Sequence, residues 1–197
     1  MTTFSLIDMG IYEISGGGRN GRLLQNRIGK TFTMAYGAWL AEEAGMDVWC
    51  NCPSNPRTGE PEHILNIPHY DFDPYQLIDE DLWNAYVMID QAEQVMDATA
   101  ATSAVKNLSN FIYQAKKRGV AFRYDTPRHK NIFNRVRLIP DAWIYPERIP
   151  ANWKLPLRAI RLVVDHQELS RRFFLKINNP ADYFPIYNDK VMLRPPA

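Results

Sequence analysis

The sequence predicts an α/β fold in which a mainly parallel central β-sheet is flanked by helices. Two observations indicate this class. Short apolar runs alternate with amphipathic segments over residues 22–145. One run, AYVMI at residues 85–89, is continuously apolar, as in a strand buried on both faces. We expect a single domain over residues 1–197, with its core at residues 22–145 and a loop-rich extension at residues 146–197 carrying a small β-hairpin.

Glycine-rich residues 16–21 predict a turn, and residues 22–25 predict a short strand after it. Apolar spacing predicts an amphipathic helix over residues 30–44 and a strand over residues 46–50. Residues 51–62 are rich in Pro, Asn and Gly, which indicates a loop.

Helix caps and strand patterns predict the remaining elements. Asp73, followed by Pro74, is expected to cap a short helix. A cationic last turn and Gly119 are typical of the end of a longer helix. The predicted elements are helices over residues 73–83 and 102–118, strands over 85–89, 120–124 and 142–145, and a hairpin formed by 160–165 and 172–176.

Composition restricts the class of protein. The chain is 46% hydrophobic and 23% charged, which excludes a wholly disordered chain. No apolar run reaches the roughly 18 residues of a membrane helix, so we expect no membrane insertion. The N-terminus lacks the basic start of a signal peptide, so we expect no secretion.

The net charge of +1 requires any nucleic-acid contact to come from local basic patches. Cys50 and Cys52 are expected to be reduced thiols of an intracellular protein.

The most specific motif is Gly29-Lys30-Thr31, between a predicted strand and a predicted helix. Backbone N–H groups at a helix N-terminus can surround a phosphate, the lysine can reach its oxygens, and the hydroxyl can bind Mg²⁺. The motif therefore predicts a phosphate-binding loop for ATP, although Leu24 stands where the full pattern has glycine. The alternative is an ordinary helix start. The expected nucleotide-binding residues of the loop are Asn26, Arg27, Ile28, Gly29, Lys30 and Thr31.

Asp90 ends the buried strand at residues 85–89. A carboxylate there can support Mg²⁺ beside the phosphate loop, so Thr31 and Asp90 are the predicted metal ligands. Motor ATPases normally follow this aspartate with a glutamate that activates water, but the next residue is Gln91. Glu93 could substitute if the backbone bends. Three alternatives stay open: a natural variant using Gln91 or Glu93, a non-hydrolysing paralogue, or a Glu→Gln change made to trap ATP.

Thr126 follows the next predicted strand and is the candidate sensor of the γ-phosphate; an ordinary turn closed by Pro127 is the alternative. Basic residues follow it, and Arg135 or Arg137 could stabilise transition-state charge on a neighbouring subunit's ATP, as Arg27 could within the same subunit. These residues, with those at 116–118, could instead form a solvated face or a DNA-facing surface.

Three stretches together resemble the P-loop ATPases that package viral genomes, of the FtsK–HerA and large-terminase type. They are QNRIGKT at residues 25–31, VMIDQAEQ at 87–94 and LSNFIYQAKKRGVAFRY at 108–124. The resemblance implies that Gly29, Lys30 and Thr31 hold the phosphates and Mg²⁺ and that Asp90 supports the metal. Gln91 occupies the position of the catalytic glutamate, and Thr126-Pro127 stands where Thr-Gln or Ser-Gln is expected.

The resemblance also implies partners. Residues after 145 leave no room for a terminase nuclease, which favours the nuclease-free packaging ATPases. The expected protein is a homo-oligomeric ring, a pentamer or hexamer, that moves double-stranded DNA into a viral capsid, contacts the capsid or portal, and works in the infected cell's cytoplasm or at the virion vertex. The alternatives are a nucleotide-binding assembly subunit without turnover and a small-molecule kinase.

Overall fold

The computed structural model describes residues 4–16, 29–51, 65–75, 77, 80–97, 99, 103–152 and 154–187. Within these ranges eight strands form one sheet with three α-helices beside it. The strands are β1 (Gly10–Ser15), β2 (Asp47–Cys50), β3 (Tyr70–Asp71), β4 (Ala85–Ile89), β5 (Ala121–Thr126), β6 (Ala142–Ile149), β7 (Ala159–His166) and β8 (Arg171–Asn178). The helices are α1 (Lys30–Glu43), α2 (Ser103–Ala115) and α3 (Asn134–Arg137).

The strand order across the sheet is β3-β2-β4-β5-β1-β6-β7-β8. The first six strands of this order run parallel, whereas β7 and β8 add antiparallel strands at one edge. The carboxyl ends of β1, β4 and β5 therefore lie along one edge of the sheet, where α/β folds place their ligands. The mainly parallel sheet and the hairpin confirm the predicted fold class.

Two apolar cores lie on opposite faces of the sheet. The core that contains α1 includes Phe32, Met34 and Ile14, and the core that contains α2 includes Phe111 and Phe122. Every residue of β1, β4 and β5 is buried. These central strands are rigidly held, so the side chains at their carboxyl ends are well positioned.

A glycine lets α1 approach the sheet closely. A Cβ added to Gly37 would lie 2.4 Å from the hydroxyl oxygen of Tyr86 on β4. That hydroxyl donates a hydrogen bond to the Met34 carbonyl oxygen at 3.0 Å. The close contact fixes α1, and with it the motif at its N-terminus, against the strand that ends in Asp90.

Several predicted elements need correction. The strand β1 was not predicted, and it begins before residue 22, the predicted start of the core. The strand predicted over residues 22–25 lies outside the described residues. Over residues 73–83 the described positions include Leu77 in a 3₁₀ helix, and no α-helical residue is among them. Asp73 accepts a hydrogen bond from the Tyr75 N–H at 2.9 Å, the kind of bond that a capping side chain makes. The predicted C-terminal hairpin is present and extends the central sheet, because β7 pairs along its whole length with β6.

Among the residues that the structure describes, no helix is both long enough and apolar enough to span a membrane.

Candidate nucleotide-binding site

The phosphate-loop motif lies at the N-terminus of α1. Gly29 precedes the helix with a φ of 92°, a left-handed conformation that favours glycine. Its carbonyl oxygen accepts hydrogen bonds from the backbone and the hydroxyl of Thr33, at 2.8 and 2.7 Å. Gly16, directly after β1, lies so close that an added Cβ would be 3.6 Å from Lys30 Cδ. The end of β1 therefore lies beside Lys30.

Thr31 and Asp90 meet at the carboxyl edge of the sheet. The buried Thr31 hydroxyl donates a hydrogen bond to Asp90 Oδ1 at 2.8 Å. Asn51, after β2, holds the backbone of Asp90 from the other side: its Oδ1 accepts from the Asp90 N–H at 2.7 Å, and its Nδ2 donates to the Asp90 carbonyl at 3.2 Å. The two predicted metal ligands are thus brought together, and Asn51 at the end of β2 holds the backbone of Asp90 in place.

Asp125 connects three parts of the site. One carboxylate oxygen lies 3.0 Å from Lys30 Nζ, and the other accepts a hydrogen bond from the Gln91 N–H at 2.6 Å. The Asp125 side chain is buried, whereas Lys30 keeps a small exposed fraction. Asp125 therefore joins α1 and the turn after β4 to the end of β5.

The electrostatics of this edge favour a cation. Burial raises the pKa of Asp90 well above its ordinary value, and the charge of Asp125 raises it further, while the Thr31 hydroxyl and Lys30 act in the opposite direction. Two buried carboxylates thus share one ammonium group. A hard divalent cation with oxygen ligands suits this environment, so the hydroxyl and carboxylate of Thr31 and Asp90 fit Mg²⁺.

The backbone bends directly after Asp90, because Gln91 has a φ of 53°. The Gln91 side chain accepts a hydrogen bond from the exposed Gln94 amide. Glu93 lies in the short 3₁₀ helix Ala92–Gln94, and its Oε2 is buried with no hydrogen-bond partner among the described residues. Of the two candidate residues for water activation, only Glu93 carries a carboxyl, and one oxygen of that carboxyl is buried.

The surroundings of the Glu93 side chain raise its pKa. Burial is the main cause that raises the pKa of Glu93, and the charge of Asp125 adds to it. Lys30 and the Thr126 hydroxyl lower that pKa and so lie close enough to interact with the carboxyl. A carboxyl with a raised pKa near the phosphate-binding lysine is suited to general base chemistry.

Thr126 is fully buried at the end of β5. Its hydroxyl donates a hydrogen bond to the Arg128 carbonyl at 3.0 Å and accepts one from the Arg128 N–H at 3.2 Å. These two hydrogen bonds form the turn that is the alternative to a sensor role for Thr126. The Thr126 hydroxyl also lowers the pKa of Glu93.

Other predicted residues are not brought into contact with this group. Arg135 and Arg137 lie on α3, and Arg137 donates to Asn134 Oδ1 at 2.7 Å. Among the described residues neither arginine contacts Lys30, Thr31 or Asp90. The predicted loop residues Asn26, Arg27 and Ile28 lie outside the described residues.

Sequence reasoning missed Asp125 and Asn51. Asn51 directly follows β2 and Asp125 is the penultimate residue of β5, and polar residues at the carboxyl ends of parallel strands are the available signal. In the described part of the chain, no three His, Cys, Asp or Glu side chains form a metal-binding group by themselves.

The fold is shared with solved P-loop NTPase domains. The N-terminal domain of zonular occludens toxin from Neisseria meningitidis matches with a TM-score of 0.57 and 17% identity, covering 92% of this chain and all of that one. The genome-packaging NTPase B204 of Sulfolobus turreted icosahedral virus 2, solved with ATPγS, matches with a TM-score of 0.57 and 12% identity over 87% of this chain and 98% of that chain. A further solved ATPase domain matches with a TM-score of 0.56 and 10% identity, covering 86% of this chain and 81% of that chain.

No family model and no curated protein matches the sequence. The chain therefore has the P-loop NTPase fold, and the predicted resemblance to packaging ATPases is confirmed at the level of the fold.

Proposed function

We propose that this chain is a Mg²⁺-dependent P-loop ATPase that acts as a motor on double-stranded DNA. The observation that carries the proposal is the arrangement of four side chains at the carboxyl edge of the sheet. Thr31 contacts Asp90, and Lys30 contacts Asp125, so a hydroxyl, an ammonium group and two carboxylates converge at the N-terminus of α1.

Each group has a role in phosphoryl transfer. Lys30 and the N-terminal N–H groups of α1 bind the phosphates. Thr31 and Asp90 would hold Mg²⁺, which would neutralise negative charge on the phosphates when bound. Asp125 positions Lys30, and Glu93 takes a proton from the attacking water. Thr126 lies beside Glu93 and responds to the state of the γ-phosphate.

The DNA part of the proposal is supported by the fold and by the sequence motifs. One structural neighbour is the DNA-packaging ATPase of Sulfolobus turreted icosahedral virus, which matches with a TM-score of 0.54 and 14% identity. Structures of the related virus 2 protein contain ATPγS, AMP and AMPPCP. We extend the proposal to a homo-oligomeric ring that moves DNA into a viral capsid, in the infected cell or at the virion vertex.

The first test measures binding of a fluorescent ATP analogue with Mg²⁺ to the wild-type chain and to Lys30→Ala. Loss of a charge-assisted phosphate contact costs about 1.5–3 kcal/mol, so Kd is expected to rise roughly 10- to 150-fold. Lys117→Ala is the matched control, because Lys117 is an exposed lysine in the helical turn before β5. An unchanged Kd in Lys30→Ala, with the circular dichroism spectrum of the wild type, contradicts the phosphate-site assignment.

The second test measures steady-state ATP hydrolysis with and without double-stranded DNA, and oligomer mass by mass photometry in the same buffers. The motor predicts hydrolysis that DNA stimulates and a ring that forms with ATP and Mg²⁺. A strict monomer under all these conditions contradicts the ring.

A second candidate is a nucleotide-binding assembly subunit that does not turn ATP over. Gln91, which stands at the position of the catalytic glutamate and cannot accept a proton as a carboxylate does, favours it. Tight ATP binding without hydrolysis, with or without DNA, would favour this candidate over the motor.

A further inference from the structure

The chain between β5 and β6 carries a concentrated positive charge. Residues 127–137, called the basic segment below, contain no Asp or Glu. They contain four Lys and Arg side chains, namely Arg128, Lys130, Arg135 and Arg137. Arg128, Lys130 and Arg135 are exposed, and Arg137 is half-buried.

Apolar contacts hold this segment against the protein so that its cations face outward. Ile132 and Val136 are fully buried in the core that contains α2. The Phe133 N–H donates to the Met96 carbonyl at 2.7 Å, and Ile132 forms a β-bridge with Asp97. The segment is thus a folded surface with a charged outer side.

The four cations of this segment form no ion pair with any residue that the structure describes. In the basic group at 116–118, by contrast, Lys116 is paired: its Nζ lies 2.7 Å from Asp141 Oδ1 and 2.8 Å from Glu168 Oε1. All four cations of the basic segment therefore stay available for an external anion.

The basic segment contacts the buried side chain of Glu13 through His129. Glu13, in the middle of β1, is fully buried. Its Oε2 lies 2.6 Å from His129 Nδ1 and accepts a hydrogen bond from the Tyr124 hydroxyl at 3.0 Å. A buried carboxyl is costly unless it is hydrogen-bonded, and His129 and Tyr124 are the partners of Glu13, so Glu13 favours the conformation that keeps His129 over it. Its Oε1 has no hydrogen-bond partner among the described residues.

The segment is also joined to the candidate nucleotide site. Thr126 exchanges two hydrogen bonds with Arg128, the first cation of the segment, and its hydroxyl also lowers the pKa of Glu93. A change around the γ-phosphate can therefore reach the basic segment through a single residue.

We propose that the basic segment binds the phosphate backbone of double-stranded DNA and that Glu13 positions it through His129. A regular array of phosphates is the partner that fits four unneutralised cations on a folded surface. The inference rests on the proposed function, since it locates the DNA contact of that motor.

The test measures the anisotropy of a fluorescein-labelled DNA duplex at several salt concentrations. We expect the double variants R128A/K130A and R135A/R137A each to lower affinity about tenfold at low salt and to reduce the slope of log K against log [salt] by about 2, one unit for each lost phosphate contact.

The matched control is K117A/R171A, which removes two exposed cations outside the basic segment, at the amino edge of the sheet. Lys117 precedes β5, and Arg171 begins β8 opposite His166, which itself pairs with the first residue of β6. An equal loss of affinity in this control, or no loss in the two test variants, overturns the proposal. If the wild type binds and hydrolyses ATP but does not bind DNA, both this proposal and the DNA part of the proposed function fail, while the ATPase assignment stands.

The positioning role of Glu13 is tested separately with Glu13→Gln, which keeps the size of the side chain. We expect a severalfold loss of DNA affinity with an unchanged Kd for the ATP analogue. Tyr124→Phe is the matched control, because it removes the other hydrogen bond to the same oxygen without altering His129. An equal loss of DNA affinity in both variants, or no loss in Glu13→Gln, contradicts the role given to Glu13.

Discussion

The ammonium group of Lys30 lies 3.0 Å from the buried carboxylate of Asp125, at the start of α1 and the end of β5 respectively. This ion pair places the lysine of the Gly29-Lys30-Thr31 motif at the carboxyl edge of the sheet. In the proposed function, Asp125 competes with the phosphates of a nucleotide for the same cation.

Asp125→Asn is therefore expected to keep or tighten nucleotide binding. The amide oxygen can still accept the Gln91 N–H, while one negative charge near the phosphates is removed. Titration of a fluorescent ATP analogue should give a Kd at or below that of the wild type. A loss of affinity as large as that of Lys30→Ala would show instead that Asp125 is required for binding.

Glu93→Gln is expected to lower kcat by roughly 10²- to 10⁴-fold, the range of general base catalysis, with little change in nucleotide affinity. Gln91→Glu is the matched change, and it should alter turnover little because the Gln91 side chain faces Gln94. Steady-state phosphate release from the wild type and both variants shows whether Glu93 or position 91 supplies the general base. Turnover that appears only in Gln91→Glu would assign the base to position 91 and indicate that this chain is disabled.

Asp90→Asn is expected to stabilise the nucleotide-free protein and to weaken Mg²⁺-dependent ATP binding. Burial raises the pKa of Asp90, so its ionised form is unfavourable in the folded state at neutral pH, while an amide can still accept the Thr31 hydroxyl. A gain of about 1 kcal/mol corresponds to a melting temperature roughly 2–4 °C higher in EDTA.

The control for this prediction is Asp97→Asn. Asp97 is exposed, and hydrogen bonds from Thr99 lower its pKa, so its ionised form is favoured in the folded state and the variant should melt slightly lower. A lower melting temperature for Asp90→Asn in EDTA would contradict the electrostatic account of the site.

Gly37→Ala is expected to destabilise the protein by about 1–3 kcal/mol, because the new methyl group would overlap the Tyr86 hydroxyl. Urea unfolding measures the effect. The double variant with Tyr86→Phe removes that hydroxyl and should recover part of the loss. Strictly additive losses in the double-mutant cycle would show that the contact between α1 and β4 is not the cause.

The sequence by itself determined the elements whose signals are local. The apolar run of β4 and the spacing of α1 were predicted close to their observed bounds. The helix predicted over residues 102–118 forms as α2 followed by the 3₁₀ helix Lys116–Arg118, which carries the predicted cations. The Gly29-Lys30-Thr31 motif and Asp90 were also predicted as a pair, since each lies at a recognisable junction between elements.

Only the tertiary structure decided the rest. The central strand β1 was missed because it carries Glu13, a charge whose burial depends on Tyr124 and His129, more than a hundred positions away. Asp125 and Asn51 became site residues because parallel pairing brings the carboxyl ends of distant strands together. The environment of Glu93 follows from the backbone bend at Gln91 and from packing beside β5. Local patterns specify helices and strands, but the contacts that form the site join residues far apart in the chain.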